Sequence, residues 1–149
     1  MLSSSRLICG ENYLAKTSEL ETLKQVCKKV ATTKRIEDAD LDKLSAVLGQ
    51  RFAKAWKAVE GKRVKKYVFK PSNRVVWIVI GKGRDYLIMP AAYFCTCDDF
   101  YFRVMDRQIH LCYHLIAQKL AETLESYDLY KEEDGLYEVL MKEWKKAIA

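Results

Sequence analysis

The sequence predicts an α+β fold: two N-terminal helices, a three-stranded antiparallel meander, a turn-and-helix unit, and a C-terminal helix. Three observations predict it. Apolar residues recur at helical spacing as far as about residue 60, shorten to a strand-like period through Met89, and return to helical spacing from Ile109. At 149 residues, with no repeats, low-complexity tracts or long linkers, the expectation is a single domain, 1–149. Within it, 1–60 is the N-terminal helical part, 61–127 the meander and the unit that follows it, and 128–149 the C-terminal helix.

The first helix is expected over about 18–31, where Leu20, Leu23, Val26, Cys27 and Val30 share a face. Ser18 would be its N-cap, with Glu21 completing a capping box. A second helix is expected from Asp40 to Val59, with Leu41, Leu44, Val47, Leu48, Phe52, Ala55, Trp56 and Val59 in one stripe and Gly61 as its stop. Strands follow at Val64–Phe69, Val75–Ile80 and Asp85–Met89, separated by turns at Pro71-Ser72-Asn73 and Gly81-Lys82-Gly83. The β-branched run Val75-Val76-Trp77-Ile78-Val79-Ile80 suits a buried central strand. Phe100–Val104 can add a short strand. Leu111, Leu115, Ala117 or Gln118, Leu120, Ala121 and Leu124 mark another helix, and Leu136, Val139, Leu140, Trp144, Ala147 and Ile148 mark the last.

Between the meander and the later helix the chain reads Cys95-Thr96-Cys97 and, after fourteen residues, Cys112-Tyr113-His114. Three thiolates and one imidazole are the set that a closed tetrahedral zinc site requires. One structural Zn2+ on Cys95, Cys97, Cys112 and His114 is therefore expected. A redox centre would usually take C-x-x-C and has no use for the C-x-H. Cys112 should lie at or before the first turn of its helix, with His114 just inside, and the first pair should occupy a tight turn at a strand end. His110 is a fifth candidate, read as a surface or supporting histidine because four ligands already fill the tetrahedron. Cys27, in a helical stripe, reads as a buried free thiol.

Charge is unevenly spread. From Arg51 to Arg84 there are eleven basic residues and one acid, Glu60, a net +10 within a chain of net +6, so the remainder stands at −4. Such a stripe is the footprint of a phosphate-backbone binder. The candidate contacts are Arg63, Lys65, Lys66, Tyr67, Lys70, Arg74, Lys82 and Arg84, with Tyr67 the best-placed ring for stacking and Trp56 and Trp77 read as core. The last helix offers Leu140, Trp144 and Ile148 as anchors for a protein partner. No run is apolar enough to span a bilayer, and the first ten residues are too short and polar for an export signal. The expected location is cytoplasmic and nucleoid-associated, or nuclear in a eukaryote.

The pattern Cys95-x-Cys97, fourteen residues, Cys112-x-His114, then Ala117 resembles the C-x-C…C-x-H-x-x-A signature of the SWIM zinc-finger family. Phe100, Ile109, Leu111 and Leu115-Ile116-Ala117 are most similar to its small stand-alone members, found in the Shu complex and in archaeal relatives. The likeness covers about residues 64–127. It implies a zinc-stapled ββα unit and a role in homologous recombination and DNA repair, beside a RecA-type recombinase paralogue that is the ATPase, on DNA that is preferably single-stranded. No enzymatic activity is expected of this chain, which has no G-x-x-x-x-G-K-[ST]. A hydrolase would need an open metal position, and Asp98-Asp99 read instead as turn formers. The alternative is a SWIM module for nucleic acid or protein outside recombination, in transcription or in mobile elements.

Overall fold

A computed structural model describes residues 4–92, 94–97 and 111–145, with side chains described from Glu19 onward. The first helix, α1, spans Ser4–Thr33. Ser18 therefore lies inside it and is no N-cap. Between residues 4 and 17 there is no proline and Gly10 is the strongest disfavouring residue, and adding residues to a nucleated helix is cheap. Leu23, Val26, Cys27 and Val30 are buried along one face, as their spacing predicts.

The expected second helix is two. Helix α2 is Asp38–Leu48 and α3 is Gln50–Glu60, broken at Gly49, whose φ of 62° ends one helix and opens the next. Its N–H donates to the Ser45 carbonyl, and its own carbonyl accepts from Phe52 and Ala53. A residue without Cβ takes that left-handed backbone at little cost, which the apolar stripe running through both helices concealed. Upstream, the Glu37 N–H donates to the Asp40 carboxylate at 3.2 Å. That bond, with the Lys29 ammonium also 3.2 Å away, holds the buried Asp40 below its ordinary value. At the far end of α3 the left-handed position is taken by Lys62, at φ 56°, and not by Gly61.

The meander forms where expected: β1 Val64–Lys70, β2 Arg74–Ile80 and β3 Asp85–Met89, all antiparallel. The sheet is wider than three strands. Short β4, Phe94–Cys95, pairs with β3, and β5, Asp128–Glu133, lies parallel to β1, giving the order β4-β3-β2-β1-β5. The sequence places residues 128–133 with the C-terminal helix, and they form a strand. Their charged sequence carries little strand signal, and pairing with β1 overrides local propensity. Helix α4 is Tyr113–Leu124 and α5 is Tyr137–Lys145, entered through a 3-10 turn at Asp134–Leu136. The expected strand at Phe100–Val104 lies outside the described residues.

Side chains alternate across the sheet, so it has two apolar faces. On one, Val64, Trp77, Val79, Ile88 and Cys95 pack with α1, α2, α3 and α4. On the other, Phe69, Val76, Ile78 and Leu87 pack with Met141 and Trp144 of α5. No described helix is long and apolar enough to cross a membrane.

Candidate metal centre and the basic surface beside it

Two elements deliver the four ligands. Cys95 is in β4 and Cys97 follows in a bend. Between them, buried Thr96 ties the knuckle to β3 in both directions: its N–H donates to the Leu87 carbonyl at 3.2 Å, and its hydroxyl accepts from the Leu87 N–H at 3.0 Å. From the other side, Cys112 is the N-cap residue of α4, extended at φ −72°, ψ 163°, and His114 is in the first turn. Arg51 fixes the approach to that helix. One of its nitrogens donates to the Leu111 carbonyl at 3.0 Å while another meets Glu19 at 2.6 Å.

All four ligand side chains are buried, and their donor atoms lie within 4.8 Å of one another. A tetrahedron with metal–ligand bonds of about 2.0–2.3 Å needs donor separations somewhat under 4 Å, within reach of small side-chain rotations. Both nitrogens of buried His114 are without a hydrogen-bond partner. A buried imidazole so placed costs free energy unless something ligates it. Soft thiolates and a borderline imidazole, all directed inward, fit one Zn2+ and close its coordination, so the ion would act as a structural staple and leave no position for a reacting water.

Clustered and buried, the thiols hold their protons tightly. Hydrogen bonds from Cys112 and Cys97, with burial, push the Cys95 thiol far up. At Cys112 the bond from Cys95 pulls down but is outweighed by Cys97 and burial, which leave it pushed up to about 12. Loading a divalent cation must therefore displace protons, and metal retention weakens as pH falls.

His114 lies against two aromatic rings that sequence reasoning did not single out. Tyr86 is 4.0 Å away and Tyr113 is 3.9 Å away, centroid to centroid. Tyr113 could have been found, being the middle residue of C-x-H. Tyr86 could not, because its place depends on the β2–β3 register. Gly81 leaves it room: a Cβ there would collide with the Tyr86 ring. Ala117 is fully buried where α4 meets the sheet.

The predicted phosphate-contacting residues are not brought to one face. Lys65 and Tyr67 point to the α5 side, where Lys65 meets Asp128 at 2.7 Å and Tyr67 packs on Tyr130 and Trp144, each ring 5.0 Å away. Lys66 points the other way, over Trp77 and Tyr127. Lys70 donates to Asn73, and Arg74 covers Tyr137 at 4.5 Å. Arg63 and Lys82 are exposed, and Arg84 lies over Tyr86 at 4.7 Å. Among the expected partner anchors, Trp144 is buried in the α5 core and Leu140 is half-buried against it. Ile148, like His110, Asp98 and Asp99, is outside the described residues. The exposed apolar residues of that end are Leu136 and Val139.

No protein-family model matches the chain. Two curated proteins do. The zinc finger SWIM domain-containing protein 7 homolog of Dictyostelium discoideum is 29% identical over 108 residues, 71% of this chain and 69% of that protein. Zinc finger SWIM domain-containing protein 7 of Mus musculus is 29% identical over 129 residues, 85% of this chain and 84% of that protein.

Proposed function

We propose that the chain is a SWIM zinc-finger protein, supported by its ligand set and by its similarity to both relatives, and that it is a non-enzymatic accessory factor in homologous recombination. It works in complex with a RecA-type recombinase paralogue and supports binding to single-stranded DNA. One observation carries this reading: the four ligands converge on a closed, buried metal position with no room for a reacting water, inside a chain similar along most of its length to small SWIM proteins. The metal builds a scaffold, and function falls to the surfaces it holds. ATP chemistry belongs to the partner, since this sequence has no phosphate-cradling loop.

The test is affinity capture of the tagged full chain from its native cell, with the recovered proteins identified by mass spectrometry. A RecA-type ATPase recovered in stoichiometric amount is the expected result. Recovery of transcription or mobile-element proteins in its place would move the SWIM module out of recombination.

A further inference from the structure

The two edges of the sheet end differently. At one, β4 is only two residues long, and Cys97 and Cys112 meet beside it at the metal position. At the other, β5 offers six residues, Asp128–Glu133, in unbroken parallel register with β1. No described strand pairs with its outer side, and no described loop bonds to it. Sheet edges are commonly blunted by shortness, proline, a bulge or a covering element. Among the described residues β5 has none of these, and its Leu129 and Tyr130 are 50% and 38% exposed. It does carry charge, but nearly all of one sign: residues 128–134 hold four acids and one base, net −3, in a chain of net +6. Asp128 is answered by Lys65, and Asp134 by Ser72. Half-buried Glu132 and exposed Glu133 have no cation partner among the described residues, and Lys70, opposite Glu133, donates to Asn73 instead.

We propose that β5 is a strand-addition site, whose open edge takes an extended basic segment of a protein partner in main-chain hydrogen bonding. The proposal rests on the reading above that this chain acts in a protein complex, and gives that complex a contact. An added strand satisfies the outward N–H and C=O groups of β5, and side chains then decide which strand is accepted. Alternation sends Asp128 and Glu132 to the α5 side and Leu129 to the other, because their partners in β1 are Lys65, Phe69 and Lys66. The incoming strand should therefore alternate lysine or arginine with an apolar residue. A second copy of β5 fits poorly. Antiparallel pairing in full register sets Asp128 opposite Glu133, and a shift of one residue sets Asp128 opposite Glu132 or Lys131 opposite itself. Like charges directly opposite each other destabilise a strand pair, and opposite charges stabilise it.

The experiment is amide exchange, read by NMR, on the zinc-loaded full chain with a synthetic octapeptide of alternating lysine and valine. Alternate amides of β5, those that face outward, should exchange about tenfold or more slowly at saturating peptide. The same peptide methylated on every backbone nitrogen keeps its charges but cannot form the ladder, and should give no protection. An alternating glutamate–valine octapeptide should bind about tenfold or more weakly, although the chain's net charge of +6 favours it. Stronger binding of the glutamate peptide, equal protection by the methylated one, or no protection of β5 by the lysine peptide would each overturn the proposal. The double variant Glu132→Lys, Glu133→Lys should reverse the peptide preference with zinc content unchanged, and an unchanged preference would overturn it too. Self-association of the free chain in sedimentation, abolished by that double substitution, would make the occupant a second copy and overturn the partner segment. In affinity capture the double variant should lose the recombinase paralogue that the unmodified chain recovers. Retention there refutes the edge alone. No paralogue recovered by the unmodified chain, with the lysine peptide still protecting β5, refutes the recombination reading alone.

Discussion

One sheet carries two cores that are built differently. On the helical side, aliphatic residues from α1 to α4 meet Val64, Val79 and Ile88, and the layer is closed at its edge by Cys95, Cys97, Cys112 and His114. On the opposite side a helix of nine residues, α5, lays Tyr137 and Trp144 against Phe69 and Tyr67 of β1, so rings make up much of that contact. The helical side is broad and needs a metal only where two chain segments far apart in sequence must be held at one point. The α5 side is small and depends on aromatic area, since large rings bury more surface per residue than any aliphatic. A short element can cover a sheet face if its few contacts are large.

The largest effect should separate the two cores. Cys112→Ser leaves three ligands and opens the staple. Structural zinc contributes on the order of 10 kcal/mol in small sites, so the variant should lose its metal and hydrogen-exchange protection in β4 and α4. Full protection without metal would refute the staple. On the other face, Trp144→Ala removes a ring that meets Tyr67 edge-on at 5.0 Å. A loss of about 3–5 kcal/mol is expected from a buried aromatic truncation, read by denaturant titration, with zinc content unchanged. Loss of zinc in that variant would show that the two cores are one cooperative unit.

The smallest effect lies at a helix start on the metal side. Asp40→Ala removes the acceptor of the Glu37 N–H and should cost about 1 kcal/mol at pH 7. Asp40 is held below its ordinary value in the fold, so the unfolded chain takes up this proton first. Its stabilisation is complete above about pH 4 and is lost as pH falls further, through the folded value. The difference between the two proteins should therefore disappear near pH 2 in denaturant titrations, and a gap of undiminished size there would contradict the assignment.

What the sequence could reveal followed the strength of its local signals. The meander was legible to within a residue at each strand because Val64–Phe69, Val75–Ile80 and Asp85–Met89 are bounded by clear turns. The ligand set was legible because cysteine and histidine at such spacing have few other uses. Strand β5 was not, because Asp-Leu-Tyr-Lys-Glu-Glu has a helix former's composition and gains its conformation from β1. The break at Gly49 was visible as a glycine but masked by an apolar stripe that continues across it. The two-sided placement of Lys65 and Lys66 follows from strand alternation, yet a count of charge along the chain ignores which face each residue takes.

The parallel pairing of β1 with β5 has a kinetic consequence. Lys65 and Asp128, which meet across it, are 63 residues apart in the chain. Closing so long a loop costs entropy before any contact rewards it, and folds rich in distant pairings assemble slowly. A bound zinc ion short-circuits the segment between Cys97 and Cys112 and brings the start of α4 beside β4, so the wait for β5 to find β1 is shorter. The saving is small, about 0.2 kcal/mol of closure entropy for a gap shortened from 63 residues to about 49, and until β5 arrives the outer side of β1 stays an unpaired edge open to other chains.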